Sequence, residues 1–169
     1  MTAIADEISR QISCTVNGDA VRAEVPVRLS LADWLRHGLG LTATHVGCEH
    51  GVCGACTIKL DGRTVRSCLT LAVQADGCAV ETLEGTVATG RMDALRDAFF
   101  QNAALQCGFC TPGMLMTAAE LLDANPNPSR AEIREALSGN YCRCTGYEPI
   151  IDAVSDAAMV RRGASDQSA

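Results

Sequence analysis

The sequence is poor in basic residues and has no long apolar run. Its 169 residues contain 14 Lys and Arg against 20 Asp and Glu, a formal net charge of −6. A nucleic-acid-binding protein needs a basic face, so we set that function aside. No apolar run approaches the ~18 residues of a membrane span, so we expect no membrane span. Residues 1–11 carry no basic start, apolar stretch or twin arginine, and we expect a cytoplasmic protein without a secretory signal.

The two halves of the chain differ in composition. The length suits one domain or two small ones. The first half carries β-branched residues with period-2 alternation, whereas Ala, Leu, Met and Glu dominate from residue 89 onward. Glu84-Gly85-Thr86 separates the two compositions, and we place a boundary at residues 84–89. The pattern predicts an α+β protein with a β-rich part followed by a helical part.

Turn and cap residues predict the elements of both halves. Asn17-Gly18 and Asp61-Gly62 are two-residue hairpin signals, and Ser30 is a candidate helix N-cap. Strands are predicted over 8–16, 20–27, 57–60, 64–73 and 79–83. Thr111-Pro112 predicts a helix start, and Ser129-x-x-Glu132 and Thr145-x-x-Glu148 resemble capping boxes. The predicted helices of the second half cover 91–102, 111–125, 130–138 and 148–161.

Ten cysteines set this chain apart from an ordinary globular protein. Thiols stay reduced in a protein that is not secreted, so concentrated cysteines indicate metal ligands or catalytic groups. Eight of the ten fall into two groups of four. Cys14 and Cys78 stand outside both groups, and we interpret them as small hydrophobes or unpaired thiols.

The first group has the spacing C-x4-C-x2-C-x11-C, which is typical of plant-type 2Fe–2S ferredoxins. Glycines interleave with the cysteines and allow the sharp loop that would wrap the cluster. A zinc site or a buried thiol cluster is the alternative, and zinc more often uses two C-x2-C pairs. His50 lies inside the loop, and we expect it to face solvent rather than bind metal. The candidate ligands are Cys48, Cys53, Cys56 and Cys68, with Gly47, Gly51 and Gly54 as loop glycines.

The second group has the spacing C-x2-C-x31-C-x1-C, which by itself fits either zinc or a 2Fe–2S cluster. Two of its cysteines lie just before predicted helix starts. Helix N-termini favour anionic groups, and both a thiolate-bound cluster and a zinc tetrathiolate are anionic. The candidate ligands are Cys107, Cys110, Cys142 and Cys144.

Three motifs together resemble one family, the small iron–sulfur subunits of the molybdenum hydroxylases. They are GCEHGVCGACT at 47–57, QCGFCTPGM at 106–114 and GNYCRCTGY at 139–147. The resemblance covers about residues 10–160. It implies a plant-ferredoxin-like β-grasp domain followed by a four-helix bundle, each with one 2Fe–2S cluster. The domain boundaries expected are 1–84 for the ferredoxin-like domain, 85–89 for a linker, 90–162 for the helical domain and 163–169 for a flexible tail.

The resemblance also assigns positions to the clusters and names partners. It places the Cys107 group next to a molybdopterin, in a cytosine dinucleotide form, and the Cys48 group nearer an FAD. Gln106 and Cys144 match pterin-contacting positions of the family. The chain has no dinucleotide fingerprint and no segment large enough for a molybdenum cofactor. The expected partners are therefore a large molybdopterin-binding subunit and an FAD-binding medium subunit, in a heterotrimer or its dimer.

The function that this implies is electron transfer, with no residue of the chain acting on substrate. Electrons would pass one at a time from molybdopterin through the two clusters to FAD while water supplies oxygen to the substrate. The substrate class expected is an N-heteroaromatic, an aldehyde or an aryl- or acyl-CoA. A free ferredoxin-like shuttle and a zinc-binding structural adaptor are the alternatives, and a second domain argues against the shuttle.

Overall fold

The computed structural model describes residues 8–166, and the N-terminal part of this range forms one mixed sheet. Its strands are β1 (Ser9–Val16), β2 (Asp19–Pro26), β3 (Thr57–Leu60), β4 (Arg63–Arg66) and β5 (Ala79–Glu81). They lie in the order β2-β1-β5-β3-β4. The pairs β1–β2 and β3–β4 are antiparallel hairpins, whereas β1 and β5 run parallel.

Both hairpin turns form at the predicted dipeptides. The backbone φ angles are 54° and 93° at Asn17 and Gly18, and 49° and 80° at Asp61 and Gly62. Two consecutive residues with positive φ match the twist of a two-residue hairpin, and Asn-Gly and Asp-Gly reach that conformation at least cost.

The predicted strand over 64–73 is wrong beyond Arg66. Strand β4 pairs only with β3, and that ladder ends where Thr57 meets Arg66. Beyond it, the N–H of Ser67 donates to the carbonyl of Cys56, and the carbonyl of Thr70 accepts from the N–H of Leu31. Leu71 forms only an isolated bridge with Ser30. A 3₁₀ turn over Ala72–Ala75 then buries its small side chains in the core.

The helices account for most of the second half. The linker expected at 85–89 lies largely in helix α2, and residues 163–166 of the expected tail belong to helix α6, while 167–169 lie outside the described residues. Gly85 does not interrupt the helix. It allows close packing, because a Cβ there would lie 2.3 Å from the side chain of Asn17. The helices are α1 (Leu31–Asp33, continued by a π-helical turn over Trp34–Gly38), α2 (Leu83–Ala88), α3 (Asp93–Gln101), α4 (Thr111–Ala124), α5 (Arg130–Leu137) and α6 (Glu148–Asp166).

Two predicted helix caps are confirmed and two are wrong. Ser30 caps α1, and Ser129 forms the predicted capping box with Glu132. Thr111 is not a cap, because Cys110 occupies the N-cap of α4 and the Thr111 hydroxyl is buried without a partner. Thr145 does not pair with Glu148. Its hydroxyl lies instead 3.2 Å from the sulfur of Cys142, so the residue supports a cysteine rather than a helix end.

Each half has its own hydrophobic core, as the α+β prediction requires. One core lies between the sheet, α1 and the 3₁₀ turn, around Trp34, Leu35 and Ile58. The other lies among α3, α4, α5 and α6, around Phe99, Met116 and Ile150. Helix α4 also packs against β3 and β4 and so joins the halves. Within residues 8–166, no helix is both long enough and apolar enough to cross a membrane.

Polar contacts tie α4 to the sheet at two places. The ammonium of Lys59 on β3 lies 3.1 Å from Asp123, which also binds Arg161 of α6 at 2.7 Å. Glu120, one turn earlier, accepts from both the backbone and the hydroxyl of Thr64 on β4. These contacts fix the orientation of the helical half on the sheet.

Candidate metal centres

The first cysteine group lies on one tight loop before β3 and on the chain just after β4. The loop turns through left-handed backbone at Gly51 and Gly54, with φ of 80° and 73°. A Cβ on Gly47 would lie 3.2 Å from the sulfur of Cys53 and 3.3 Å from the ring of Phe109. Glycine is therefore needed at 51 and 54 for conformation, and at 47 for the space that a neighbouring sulfur and ring occupy.

Backbone amides of this loop point at sulfur. The N–H of Cys53 donates to the sulfur of Cys48 at 3.4 Å. This amide, with those of His50 and Val52, lowers the pKa of Cys48 to about 6. Burial, followed by the hydrogen bond from Cys56, raises the pKa of Cys68 to about 11. The loop thus favours the thiolate form of Cys48, whereas burial and the neighbouring thiol favour the protonated form of Cys68. A positively charged metal centre shared by these sulfurs would stabilise the thiolate form of both.

The second cysteine group joins two helix connections. Cys107 and Cys110 lie between α3 and α4, and Cys142 and Cys144 lie between α5 and α6. The sulfurs of Cys107 and Cys144 are 3.6 Å apart. Two thiolates on one tetrahedral metal ion with bonds of about 2.3 Å would be ~3.8 Å apart, so this pair fits one corner of a cluster. Cys110 and Cys142 are neighbours within the same group, and each affects the pKa of the other.

The second pair is the more buried one. Burial, followed by the hydrogen bond with Cys142, raises the pKa of Cys110 to about 12. Burial opposes ionisation of Cys142 too, but hydrogen bonds from the hydroxyl and backbone of Thr145 give a net lowering of its pKa. One close sulfur pair with a second, more buried pair of cysteines beside it is compatible with the four ligands of a 2Fe–2S cluster.

A single metal ion is not favoured by the geometry. Within the part of the chain that the structure describes, no three His, Cys, Asp or Glu side chains are placed to hold one metal ion together. All ten cysteines are free thiols. His50 is exposed, as expected, and its Nδ1 contacts the carbonyl of Cys48 rather than a sulfur.

The residues expected to face a pterin lie at the surface. Cys107, Cys144 and Gln106 are all exposed. The side-chain amide of Gln106 donates to the carbonyl of Cys144 at 3.1 Å. Gln106 therefore braces the outer cysteine pair, and this face is open to another molecule.

The cysteines outside both groups behave as small core residues. Cys14 is buried in the sheet core, and burial raises its pKa. Cys78 is half-buried, and its thiol donates to the carbonyl of Gln74.

The two cysteine groups meet across a contact that the sequence analysis missed. The backbone N–H of Tyr141 donates to the carbonyl of Cys53 at 2.8 Å, and the side-chain amide of Asn140 donates to the carbonyl of Gly54 at 3.1 Å. We call the contact between Cys53-Gly54 and Gly139-Asn140-Tyr141 the inter-domain seam. The only signal in the sequence is that Asn140 and Tyr141 directly precede Cys142.

A stacked ring pair makes a second link. The ring of Phe109, between two cysteines of the second group, stacks on His45 with centroids 4.7 Å apart. The His45 Nδ1 also lies 2.8 Å from the Phe109 carbonyl. Together with the seam, this pair holds the two cysteine loops edge to edge.

Comparison with known proteins agrees with this geometry. A 2Fe-2S iron-sulfur cluster binding domain matches residues 14–77, and a 2Fe-2S binding domain of a second family matches residues 82–155. The chain is 55% identical over 147 residues to the nicotine 6-hydroxylase small subunit of Paenarthrobacter nicotinovorans, covering 87% of this chain and 88% of that protein. It is 54% identical over 153 residues to caffeine dehydrogenase subunit gamma of Pseudomonas sp. (strain CBB1), covering 89% and 92%.

A solved structure agrees as well. The crystal structure of quinoline 2-oxidoreductase from Pseudomonas putida 86 contains a chain that is 56% identical and superposes with a TM-score of 0.86, covering 92% of this chain and 98% of that one. The fold and the paired cysteine groups thus define a two-domain iron–sulfur protein. The chain belongs to the small iron–sulfur subunits of the molybdenum hydroxylases, the xanthine dehydrogenase and aldehyde oxidoreductase family. Its place is that of an electron-transfer subunit in an oxidoreductase complex.

Proposed function

We propose that this chain carries electrons from molybdopterin on a large subunit to FAD on a medium subunit, through one 2Fe–2S cluster in each half. The ligands are assigned as Cys107, Cys110, Cys142 and Cys144 for the helical cluster and Cys48, Cys53, Cys56 and Cys68 for the ferredoxin-like cluster. The chain supplies no acid, base or nucleophile to the substrate.

The hydrogen bond from Tyr141 to Cys53 is the observation that carries the proposal. Cys53 is an assigned ligand of one cluster, and Tyr141 adjoins Cys142, an assigned ligand of the other. A short covalent path interrupted by one hydrogen bond therefore connects the two centres. A zinc adaptor would need no such connection, and a shuttle would need only the first centre.

When bound, each cluster supplies a one-electron redox couple. The chain's own residues hold the centres in place and adjust their surroundings. The amide of Cys53 and the hydroxyl of Thr145 donate to sulfurs of the two groups, and such hydrogen bonds raise a cluster's reduction potential. Gly54 and Asn140, beside the path between the two centres, are buried.

The exposed rim of the second group is the proposed contact with the molybdenum subunit. Gln106 and Cys144 form its polar centre, as the family resemblance implies for a pterin contact. Exposed apolar side chains lie close to them along the chain, among which Tyr141 is 54% exposed, Phe109 48% and Leu105 40%. A polar centre within exposed apolar residues is typical of a surface that another chain covers. On the other side, the exposed Val52 lies in the Cys48 loop and is assigned to the flavin-facing surface.

For the substrate of the complex, we propose an N-heteroaromatic ring compound. Support comes from the relatives' names, since nicotine, caffeine and quinoline are all nitrogen heterocycles. The ring would be oxidised at the molybdenum centre of the large subunit, outside this chain.

The first experiment is metal analysis and EPR of the complex purified through a tag on this chain. About four irons per chain, no zinc and two distinct 2Fe–2S signals after dithionite reduction are expected. About two irons with one zinc would overturn the assignment of the helical centre. The same preparation tests the partners, because a free shuttle would elute alone, whereas a subunit elutes with a molybdopterin-containing and an FAD-containing chain.

A further inference from the structure

Arg66, the last residue of β4, lies between the two cysteine loops. Its guanidinium donates at 2.7 Å to the carbonyl of Gly139, on the helical side of the inter-domain seam. It also donates to the hydroxyl of Thr57, which itself donates to the carbonyl of Gly54 on the other side. One cationic side chain thus contacts both sides of the seam.

Arg66 forms no ion pair with a carboxylate of residues 8–166. Among residues 8–166, the seven ion pairs of the structure do not include Arg66. Glu120 lines the same surface cavity as Arg66, but its two oxygens accept from the backbone and hydroxyl of Thr64 and form no ion pair with the guanidinium. Arg66 is half-buried, so water screens its charge less than that of an exposed arginine.

Measured along the chain, Arg66 and its contacts lie closer to cysteines of the first group than to those of the second. Thr57, which it contacts, directly follows Cys56, and Cys68 is two residues beyond Arg66, just after β4. Gly139 is three residues before Cys142, at most ~11 Å along the chain. A positive charge stabilises an added electron more strongly at the shorter distance.

We propose that Arg66 sets the direction of electron transfer in this subunit by raising the reduction potential of the Cys48 centre above that of the Cys107 centre. The inference rests on the proposed function, because it requires both clusters. The step it favours moves one electron from the reduced helical centre to the oxidised ferredoxin-like centre, with no bond made or broken and no proton transferred. Arg66 binds neither cluster and acts on the electron through its charge.

A purely mechanical role for Arg66 makes a different prediction. If its two hydrogen bonds only hold the seam together, a neutral side chain with amide donors would change stability and leave both potentials in place. If its charge acts on the centres, the potential follows the charge and not the shape of the side chain. Lysine keeps the charge but loses the planar fork of donors, so it separates the two roles.

The test is a potentiometric EPR titration of both centres in the complete complex, for wild type, Arg66→Gln and Arg66→Lys. Arg66→Gln is expected to lower the reduced-to-oxidised ratio of the Cys48 centre about tenfold at fixed potential, the scale of one charge roughly 10 Å away at an effective dielectric constant of about 20. Tenfold corresponds to about 59 mV for one electron. The Cys107 centre is expected to shift less, and Arg66→Lys to remain close to wild type.

Arg63→Gln is the matched control. It removes the same charge from the other end of the same strand, where the side chain is exposed and far from the seam. Both potentials are expected to stay at their wild-type values. If Arg63→Gln lowers the Cys48 potential as much as Arg66→Gln does, the effect is one of overall charge and the assignment to Arg66 is wrong.

A second pair of variants covers the case in which Arg66→Gln does not retain iron. Ala136 lines the same cavity as Arg66, so Ala136→Glu adds a carboxylate beside the intact arginine, and Ala136→Gln adds a neutral side chain of the same shape. The Cys48 potential is expected to fall in Ala136→Glu alone. Unchanged potentials in Ala136→Glu, or in an iron-replete Arg66→Gln, overturn the inference. If the wild-type complex does not show two 2Fe–2S EPR signals, the proposed function is refuted instead.

Discussion

The amide nitrogen of Tyr141 lies 2.8 Å from the carbonyl oxygen of Cys53, and this hydrogen bond directly links the backbones of the two cysteine loops. Gly54 and Asn140, the adjacent residues, make the same kind of link through a side-chain amide at 3.1 Å. These two hydrogen bonds are therefore formed by backbone groups and the side chain of one buried asparagine. Because backbone positions are fixed by the packing of both halves, the spacing of the two centres is a property of the whole fold.

Gly54→Ala is expected to destabilise the protein by more than about 3 kcal/mol. The residue has a φ of 73°, and a Cβ there would lie 2.5 Å from the carbonyl oxygen of Gly139. The left-handed conformation alone costs a non-glycine residue about 1–2 kcal/mol, and the overlap with backbone across the seam adds to it. Chemical denaturation measures the loss.

Gly62→Ala is the control for Gly54→Ala. Gly62 has a φ of 80°, but a Cβ there meets nothing within 4 Å. It should therefore show the conformational cost without the overlap. Equal losses for the two variants would mean that the seam adapts to a side chain at Gly54.

Asn140→Leu is expected to lower the free energy of unfolding by about 1–3 kcal/mol, the cost of leaving buried polar partners unsatisfied. Asn140 is 1% exposed and holds both the carbonyl of Gly54 and the hydroxyl of Thr117. Thr117→Val removes only the second contact and should cost less. If Thr117→Val costs as much as Asn140→Leu, the bond to Gly54 contributes nothing measurable. Urea denaturation of the two variants decides this.

Cys107→Ser and Cys48→Ser should each remove one EPR signal and leave the other. The reason is that the two sulfur groups lie in separate loops with separate sets of donors. Substrate should then fail to reduce FAD in Cys107→Ser, although its ferredoxin-like signal persists. Cys78→Ser is the control and should retain both signals. Normal substrate-to-FAD transfer in Cys107→Ser would refute the assigned path.

Gln106→Ala should alter the signal of the Cys107 centre and leave that of the Cys48 centre unchanged. Its side-chain amide supports the carbonyl of Cys144, next to the outer sulfur pair. Gln101→Ala, an exposed glutamine at the end of α3, should change neither signal. EPR of the two variants makes the comparison, and a change confined to the Cys48 centre would show that the domains are assigned the wrong way round.

Asp123→Asn should lower the free energy of unfolding by an amount that depends on pH. Burial opposes ionisation of this carboxyl, but hydrogen bonds from Arg161 and Lys59 lower its pKa below the usual 3.8. A pKa that is lower in the folded state stabilises the fold above about pH 4, and this contribution is lost as the pH falls through the folded-state pKa. The difference between wild type and Asp123→Asn should therefore be largest at neutral pH and shrink in acid.

Denaturation at a series of pH values measures that difference. Asp97→Asn, which removes an exposed carboxylate on α3, is the control and should parallel wild type. A gap between wild type and Asp123→Asn that stays constant down to pH 3 would contradict the ionic explanation.

The local elements followed from the sequence because their causes are local. Asn17-Gly18 and Asp61-Gly62 form turns whatever surrounds them, and Ser129 caps a helix with the glutamate three residues on. The motifs around the eight cysteines, GCEHGVCGACT, QCGFCTPGM and GNYCRCTGY, also carried the family resemblance, which the comparisons confirmed.

Where the sequence analysis was wrong, contacts with residues distant in sequence determined the local structure. The strand predicted over 64–73 ends at Arg66 because no neighbouring strand continues beside it. Gly85 resembles a linker glycine in the sequence but lies under the side chain of Asn17. Thr145 has the spacing of a helix cap, yet its hydroxyl bonds to the sulfur of Cys142. In each case a tertiary contact outweighs the local signal.

The sequence by itself determined the two-part architecture, the hairpin turns and the two groups of four cysteines. Only the tertiary structure decided which sulfurs pair, that the two loops meet through Cys53 and Tyr141, and that Arg66 lies between them without a carboxylate partner among the described residues. The physical reason is that spacing along the chain specifies local geometry. The distance and charge between two centres far apart in sequence depend on how α4 packs against the sheet.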